Sequence, residues 1–513
     1  MNLVSPAYLI LPVLFLAGCD ATWNNPYPDS ESNRNIYYDS FEERPKHLDP
    51  VASYSANEYE FLGQIYEPPL QYHFLKRPYE LVPLTATRVP EPAYYNADGV
   101  RISADAPAGD VSLVRYTINI QEGIHYQPHP SFAKNDNGEY LYHALTPDEV
   151  NALHSLSDFE LTGTRELVAS DYVYQIKRMV HPRVHSPIAG LMSKYIAGLD
   201  ELAAELTGYE QANPGEFADL RNFSFKGARV IDPYTFEIIL KEKYPQFIYW
   251  LSMYFFSPMP WEADRFYSQP GMSDQNITLD WYPVGTGPFM LTENNPNRRM
   301  VLARNPNFRG ESYPADGEPE DLATGLLDDA GKPMPFIDKA VYSLEREAIP
   351  TWNKFLQGYY DTSGIGSDSF DQAVKVGMEG EASLTEEMQA RNIRLLTAVT
   401  TSTFYMGFNM RDDVIGGDSE RARLLRRAIS IAVDYEEYIS IFANGRGLPA
   451  QGPLPPGIFG HREGKAGINP YVYDWIDDRP VRKPVSKARE LLKQAGYAAG
   501  RDTQTGEPLV LYL

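Results

Sequence analysis

"YPVGTGPFMLTENNPNRRMVLARNPNF", residues 282–308, is the stretch on which the reading of the fold turns. Gly285 and Gly287 are small, and Pro288 has a fixed φ, so together they suit a tight turn leading into a strand. The turn is read as serving fold maintenance rather than ligand contact.

Outward from this stretch, strand and helix signals alternate along the chain. "VSLVRYTINI" puts Val114, Tyr116, Ile118 and Ile120 on one face of a strand. "VIDPYTFEIIL" reads as a hairpin turning at Asp232-Pro233, with Phe236, Ile238 and Leu240 alternating. "ASDYVYQIKRMV" predicts a helix capped by Ser170, with Val173, Ile176 and Val180 on one stripe. "DSERARLLRRAISIAVDYEEYISIFANGRG" predicts a helix sharing Leu425, Ile429 and Ala432 on a face. A shorter helix follows, opened by Asp434 and Glu437 and ended at Asn444-Gly445. "SKARELLKQAGY" predicts a further helix from Ser486 to a Gly496 stop, and "PLVLYL" one more strand. Residues 133–167 and 309–334 read as solvated loops or insertions.

The N-terminus carries a different signal. Residues 7–17 are almost wholly apolar, too short for a membrane span, which needs roughly 20 residues, but suited to a secretory h-region. Leu16-Ala17-Gly18-Cys19 is similar to a bacterial lipobox, although no Lys or Arg precedes it. Cys19 is the only cysteine in 513 residues, so its acylation would leave the mature chain without a free thiol in an oxidising envelope. The expectation is a signal peptide over residues 1–18, a lipid-anchored linker over 19–35, and Asp20 retaining the protein at the inner (cytoplasmic) membrane, in the periplasm.

Length suggests two or three domains. A net charge of −23 argues against nucleic acid and anionic lipid surfaces as direct partners. No G-x-S-x-G elbow or phosphate loop occurs. His125/His129 and His181/His185 are spaced four apart, but Pro128, Pro130 and Pro182 oppose a metal-binding helix there. These histidines are read as surface residues, and the chain as no enzyme, with no catalytic residue, metal or cofactor assigned.

Taken in order, several segments resemble the solute-binding proteins of bacterial peptide-type ABC importers, family 5, the oligopeptide/dipeptide/nickel-binding type. "RPKHLDPVAS…IYEPPLQY" is similar to the family's "LDP…YEGL" opening. "VRYTINIQEGIHY" resembles its "W-T-F-x-L-R-x-G-V" strand, and "ASDYVYQIKRMV" its "T-A-x-D-V-x-Y-S-x-x-R". Residues 282–308 are the most specific piece, matching "P-V-G-T-G-P-Y-x-L" and then "L-x-R-N-P-x-Y". "FYMGFNM", "RLLRRAISIAVDYEEYI" and "KARELLKQAGY" follow in family order.

The resemblance implies an α/β, two-lobed periplasmic-binding-protein fold of type II, of the large peptide-binding class with an extra subdomain. Lobe I would comprise 36–50 and 282–405, the subdomain 51–281, and an incomplete lobe II 406–513, the family continuing beyond "PLVLYL". It implies a monomeric receptor that binds peptides by their backbone in an interlobe cleft and hands them to ABC permease subunits driven by a separate ATPase. By segment matching, ligand-facing positions are Tyr54, Ser55, Ala56, Ile188, Gly364, Thr400, Phe404 and Tyr405. Tyr54 stands where the family has an acidic contact, and Ile188, Gly364 and Thr400 where it has aromatic ones. Those departures keep open a non-peptide ligand (nickel chelate, oligosaccharide or peptide antibiotic). An envelope enzyme or structural lipoprotein is the third reading.

Overall fold

The structure is a computed structural model and describes residues 26–28, 31, 33–376 and 382–512. The apolar run and Cys19 lie outside the described residues.

Two sheets organise residues 36–344. In the first, strands run in the order Ile36–Phe41, Lys339–Leu344, Arg299–Arg304, Phe289–Asn295. Ile36–Phe41 is parallel to Lys339–Leu344, and the other pairings are antiparallel. The 282–308 stretch therefore supplies two adjacent strands of this sheet. Helix Ala56–Ile65 covers it, and Phe61, Leu62, Ile65 and Tyr66 share a core with Phe41, Phe289, Met300, Leu302 and Tyr342. Each such side chain fully removed from water contributes about 1.5–3 kcal/mol.

Gly285 and Gly287 act differently from the expected turn. A Cβ on Gly285 would lie 1.9 Å from the Ile65 carbonyl oxygen, and one on Gly287 2.7 Å from the same atom. The Gly287 N–H donates to that carbonyl at 2.9 Å. Neither glycine is in the left-handed region. They are needed because the strand entry passes hard against the C-terminus of the helix.

The second sheet has five antiparallel strands, ordered Arg101–Ile102, Ala93–Tyr95, Leu113–Asn119, Thr235–Leu240, Ala228–Asp232. Val114, Tyr116 and Ile118 pair opposite Leu240, Ile238 and Phe236, and all six are buried. The expected alternation and hairpin are present. Helix Ala169–Arg178 packs beneath, inside one continuous core that extends from Val51 to Val284.

Ser170 is not the cap of that helix. The cap position is Val168, whose N–H is taken by the Asp171 carboxylate at 3.2 Å. The helix opens earlier than expected, at Ala169, so Ser170 lies inside its first turn while Asp171, ion-paired with Arg165, reaches back to the cap. Residues 133–167 are also more ordered than a solvated loop. They contain helix Pro147–Asn151, opened by a Thr146–Glu149 capping box, and bury Val150, Leu153 and Phe159 in the same core. Residues 309–334 hold the short ladder Glu311–Ser312 with Pro333–Met334 and helix Pro319–Ala323.

Toward the C-terminus, helices Glu420–Ala432 and Val485–Gln494 pack together with Tyr497 around Leu425. The buried face of the first is Ala422, Leu425, Ala428 and Ile431, whereas Ile429 is half-buried and Ala432 exposed. Its stripe advances in threes, so the next turn's small Ala428 enters the contact. Helix Tyr435–Phe442 has Asp434 accepting the Glu437 N–H, and Asn444 and Gly445 end it at positive φ. Among the described residues, 508–512 form no strand: Pro508 makes one isolated bridge to Arg501, and Tyr512 is exposed. "FYMGFNM" likewise pairs with no strand among the described residues.

Candidate ligand-binding surface

The "HLDP" turn is built around one aspartate. Leu48 and Asp49 donate their N–H groups to Asp280 Oδ1 at 3.0 and 3.2 Å. The Asp49 carboxylate takes the Arg178 guanidinium in two bonds of 2.8 and 3.1 Å, and Arg178 Nε reaches Asp264 at 3.0 Å. Burial alone would lower the Arg178 pKa, but the two aspartates hold it above its ordinary value. The Asp49 carbonyl then accepts from Ala52 and Ser53, turning the chain toward the helix.

At the head of that helix the exposed loop is pinned from beneath by Glu58, itself 2% exposed. Its Oε2 accepts the Ser53 hydroxyl at 2.8 Å and the N–H groups of Tyr54 and Ser55 at 3.1 and 3.2 Å. Its Oε1 accepts Lys46 N and His47 N at 3.1 and 2.8 Å. Burial pushes the carboxyl up, but these donors outweigh it and bring the pKa down to about 2. The result is a rigid turn presenting Tyr54, Ser55 and Ala56 to solvent, with the Tyr54 ring 6.2 Å from Phe255.

One helical turn on, Tyr59 lies 4.7 Å, ring to ring, from Tyr254. Beside this pair opens a cavity of about 360 Å³ whose lining includes Tyr59, Tyr72, Tyr254, Phe308, Glu67 and Glu311. These residues were not singled out from the sequence. The signals available were the tyrosine pair in "SYSANEYEF" and the aromatic run "WLSMYFF".

The other expected positions are distributed as follows. Ile188 is 3% exposed, enclosed in the core at the start of helix Ala189–Tyr195. Gly364 is exposed, with nothing within 4 Å of a Cβ placed on it; the adjacent Ile365 carbonyl accepts from Arg446. Thr400, Phe404 and Tyr405 are exposed on one segment that is neither helix nor strand. Among the described residues, no residue from 394 to 408 makes a backbone–backbone hydrogen bond. No hydrogen bond, ion pair or ring contact among the described residues joins Ile188, Gly364, Thr400, Phe404 or Tyr405 to the Tyr54–Ala56 turn.

His129 departs from the expected surface role. It is 1% exposed, with Nδ1 accepting the Ser131 N–H at 3.1 Å and Nε2 2.8 Å from the Tyr267 hydroxyl. Burial pushes its pKa down to about 3. Among the described residues there is no group of three or more His, Cys, Asp or Glu side chains arranged to hold a metal. No helix among them is long and apolar enough to cross a membrane.

The profile of the bacterial extracellular solute-binding proteins, family 5 (middle), matches residues 163–513. The chain belongs to that family. Among curated family 5 relatives, heme-binding protein A of Haemophilus influenzae is 23% identical over 352 residues, covering 67% of this chain and 49% of the relative. The periplasmic oligopeptide-binding protein OppA of Escherichia coli is 21% identical over 431 residues, covering 79% and 67%. The chain thus spans about half to two thirds of these family 5 relatives. Among solved structures, the ABC transporter-associated periplasmic binding protein DppA from Helicobacter pylori, in complex with the peptide STSA, superposes with TM-score 0.52 at 18% identity, covering 92% of this chain and 68% of that one. The family 5 fold, the two-lobed α/β periplasmic-binding-protein fold, is therefore that of this chain.

Proposed function

We propose that this family 5 chain is the ligand-binding part of an extracytoplasmic receptor for an ABC importer, taking peptides in a cleft and delivering them to an inner-membrane permease with a separate ATPase. One observation carries the peptide reading. Residues 394–408, which hold Thr400, Phe404 and Tyr405, leave their backbone N–H and C=O groups without backbone partners among the described residues. A stretch of unpaired backbone leaves donors and acceptors to which a peptide can add itself as a strand, gaining affinity from its main chain rather than its sequence. The Tyr54–Ala56 turn and Gly364 supply further ligand-facing positions, and Ile188, enclosed in the core, would reach a ligand only if its surroundings open. Residues 36–50 and 282–405 form lobe I, 51–281 its extra subdomain and 406–513 lobe II, closing about the segment that joins the lobes. Acylation of Cys19 anchors the protein, as a monomer, to the periplasmic face of the inner membrane.

The exposed rings of Tyr54, Tyr59, Phe404 and Tyr405 favour a second reading, a non-peptide solute with a flat apolar face. Native mass spectrometry on the mature protein purified from its own host separates the two. Co-purifying masses matching short peptides are the expected result. An empty protein that a mixed peptide library also fails to stabilise against thermal unfolding would overturn the peptide assignment.

A further inference from the structure

The cavity beside Tyr59 has a chemistry that the peptide reading does not use. Its aromatic walls include Tyr59, Tyr72, Tyr254 and Phe308. Gly63 gives the Tyr254 ring its room in this wall, because a Cβ there would stand 2.7 Å from the Tyr254 hydroxyl and push it aside. Two carboxylates reach the same space. Glu67 is 3% exposed, and both its oxygens accept from Arg309 Nη1, at 2.7 and 2.8 Å. Arg309 Nη2 donates to the Leu84 carbonyl at 3.1 Å, and the ion pair of this guanidinium is with Glu67. Glu311 accepts from the Gln71 amide, and among the described residues no Lys, Arg or His forms an ion pair with it. The cavity therefore holds two carboxylates against one guanidinium, an excess of one negative charge between ring faces.

We propose that this cavity is a subsite for an alkylammonium or guanidinium group. A cation within about 6 Å of a tyrosine face is drawn to the ring quadrupole, and Glu311 supplies the counter-charge that the protein itself leaves unpaired. An anion would meet the excess negative charge, and a neutral alkyl group would bury Glu311 without compensation. At about 360 Å³ the space is at the low end for ligand pockets, which run from about 300 to 1,000 Å³, and suits a headgroup or one side chain. The cation has two possible sources: a free small amine, or the Lys or Arg side chain of a bound peptide. The second source rests on the peptide reading above.

Isothermal titration calorimetry of the chain with tetramethylammonium chloride, against sodium chloride at equal ionic strength, tests the chemistry. Saturable binding that weakens about tenfold in both Glu311→Gln and Tyr59→Ala is the expected result. Absence of saturable binding, or equal binding by Glu311→Gln, overturns the proposal. A second arm compares Ala-Lys-Ala with Ala-norleucine-Ala. Preference for the lysine peptide, lost in Glu311→Gln and competed by tetramethylammonium, identifies the side chain as the source. Tetramethylammonium binding without that preference identifies a free amine. Binding of the norleucine peptide reports on the peptide reading alone, so the two readings fail separately.

Discussion

Arg178 holds Asp49 with both terminal nitrogens, at 2.8 and 3.1 Å, across 129 residues of sequence. The pair ties the helix of the five-stranded layer to the turn that leads into the exposed Tyr54–Ala56 loop. Asp264 completes the cluster at Arg178 Nε, and the Arg178 side chain is only 5% exposed. Both sequence segments in which these residues lie carry the family resemblance, and the ion pair gives a physical reason for their joint presence.

Removing the arginine leaves Asp49 and Asp264 facing each other in a desolvated site. Arg178→Leu should therefore cost about 3–5 kcal/mol, the range for stripping one partner from a buried pair. Asp49→Asn, which keeps the shape and one acceptor, should cost less. Urea titrations of the two variants give the comparison, and a loss below about 1 kcal/mol for Arg178→Leu would show that the cluster is not structural.

Glu58 serves the loop locally as Arg178 does over distance. Glu58→Ala strands five donors, those of Ser53, Tyr54, Ser55, Lys46 and His47. At about 1–3 kcal/mol for a buried donor left unpaired, the variant should lose at least about 2 kcal/mol and bind ligand more weakly through a looser turn. The pH dependence has a defined sign. The folded pKa of about 2 lies below the unfolded one, so the contribution is complete above pH ~5 and is lost as pH falls toward about 2. The gap in melting temperature between wild type and Glu58→Gln should accordingly narrow on moving from pH 7 to pH 3.

The strand layers were legible in the sequence because their information is local. Val114, Tyr116, Ile118 and Ile120 alternate, and alternation on a half-buried sheet reports directly which face is buried. Asp232-Pro233 was legible for the same reason. Ser170 is not legible as an interior residue because the helix starts at Ala169, with Asp171 reaching back to Val168 while held by Arg165, a residue the helix pattern does not contain. The Gly285 and Gly287 pair was noticed, but its cause lies in Ile65, some 220 residues away. The aromatic cavity was invisible because Tyr59, Tyr254, Glu67 and Glu311 come from separate segments. His129 was hidden because its burial depends on Tyr267 and Ser131.

Gly285 offers a contrast with Gly364 that separates close packing from open space. A Cβ at Gly285 would overlap the Ile65 carbonyl at 1.9 Å, a backbone atom that cannot swing aside, whereas a Cβ at Gly364 meets nothing within 4 Å. Gly285→Ala should cost about 3 kcal/mol or more, since the helix end and the strand entry must part. Gly364→Ala should stay within about 0.5 kcal/mol. Thermal melts of the two variants side by side decide it, and equal melting temperatures would refute the close-approach account.

His129 sets the acid limit from inside the core. Because Nδ1 accepts from the Ser131 N–H, the proton of the neutral ring sits on Nε2 and faces the Tyr267 hydroxyl, which itself donates to the Tyr282 carbonyl at 2.6 Å. Adding a proton at Nδ1 would break the first of these bonds and place a charge among Phe132, Phe266 and Tyr267. Burial thus lowers the folded pKa to about 3, while the unfolded imidazole titrates near ~6.5. Below about 6.5 the unfolded chain takes up a proton that the folded chain refuses, so stability falls as pH falls, by up to about 1.4 kcal/mol per pH unit. Between pH 7 and pH 5 this one residue should remove about 2 kcal/mol. His129→Leu should be less stable than wild type at pH 7, because Ser131 and Tyr267 lose their partner. It should also lose about 2 kcal/mol less over the same pH interval. Denaturant titrations at the two pH values measure both effects, and parallel losses in wild type and variant would mean that His129 is protonated within the fold.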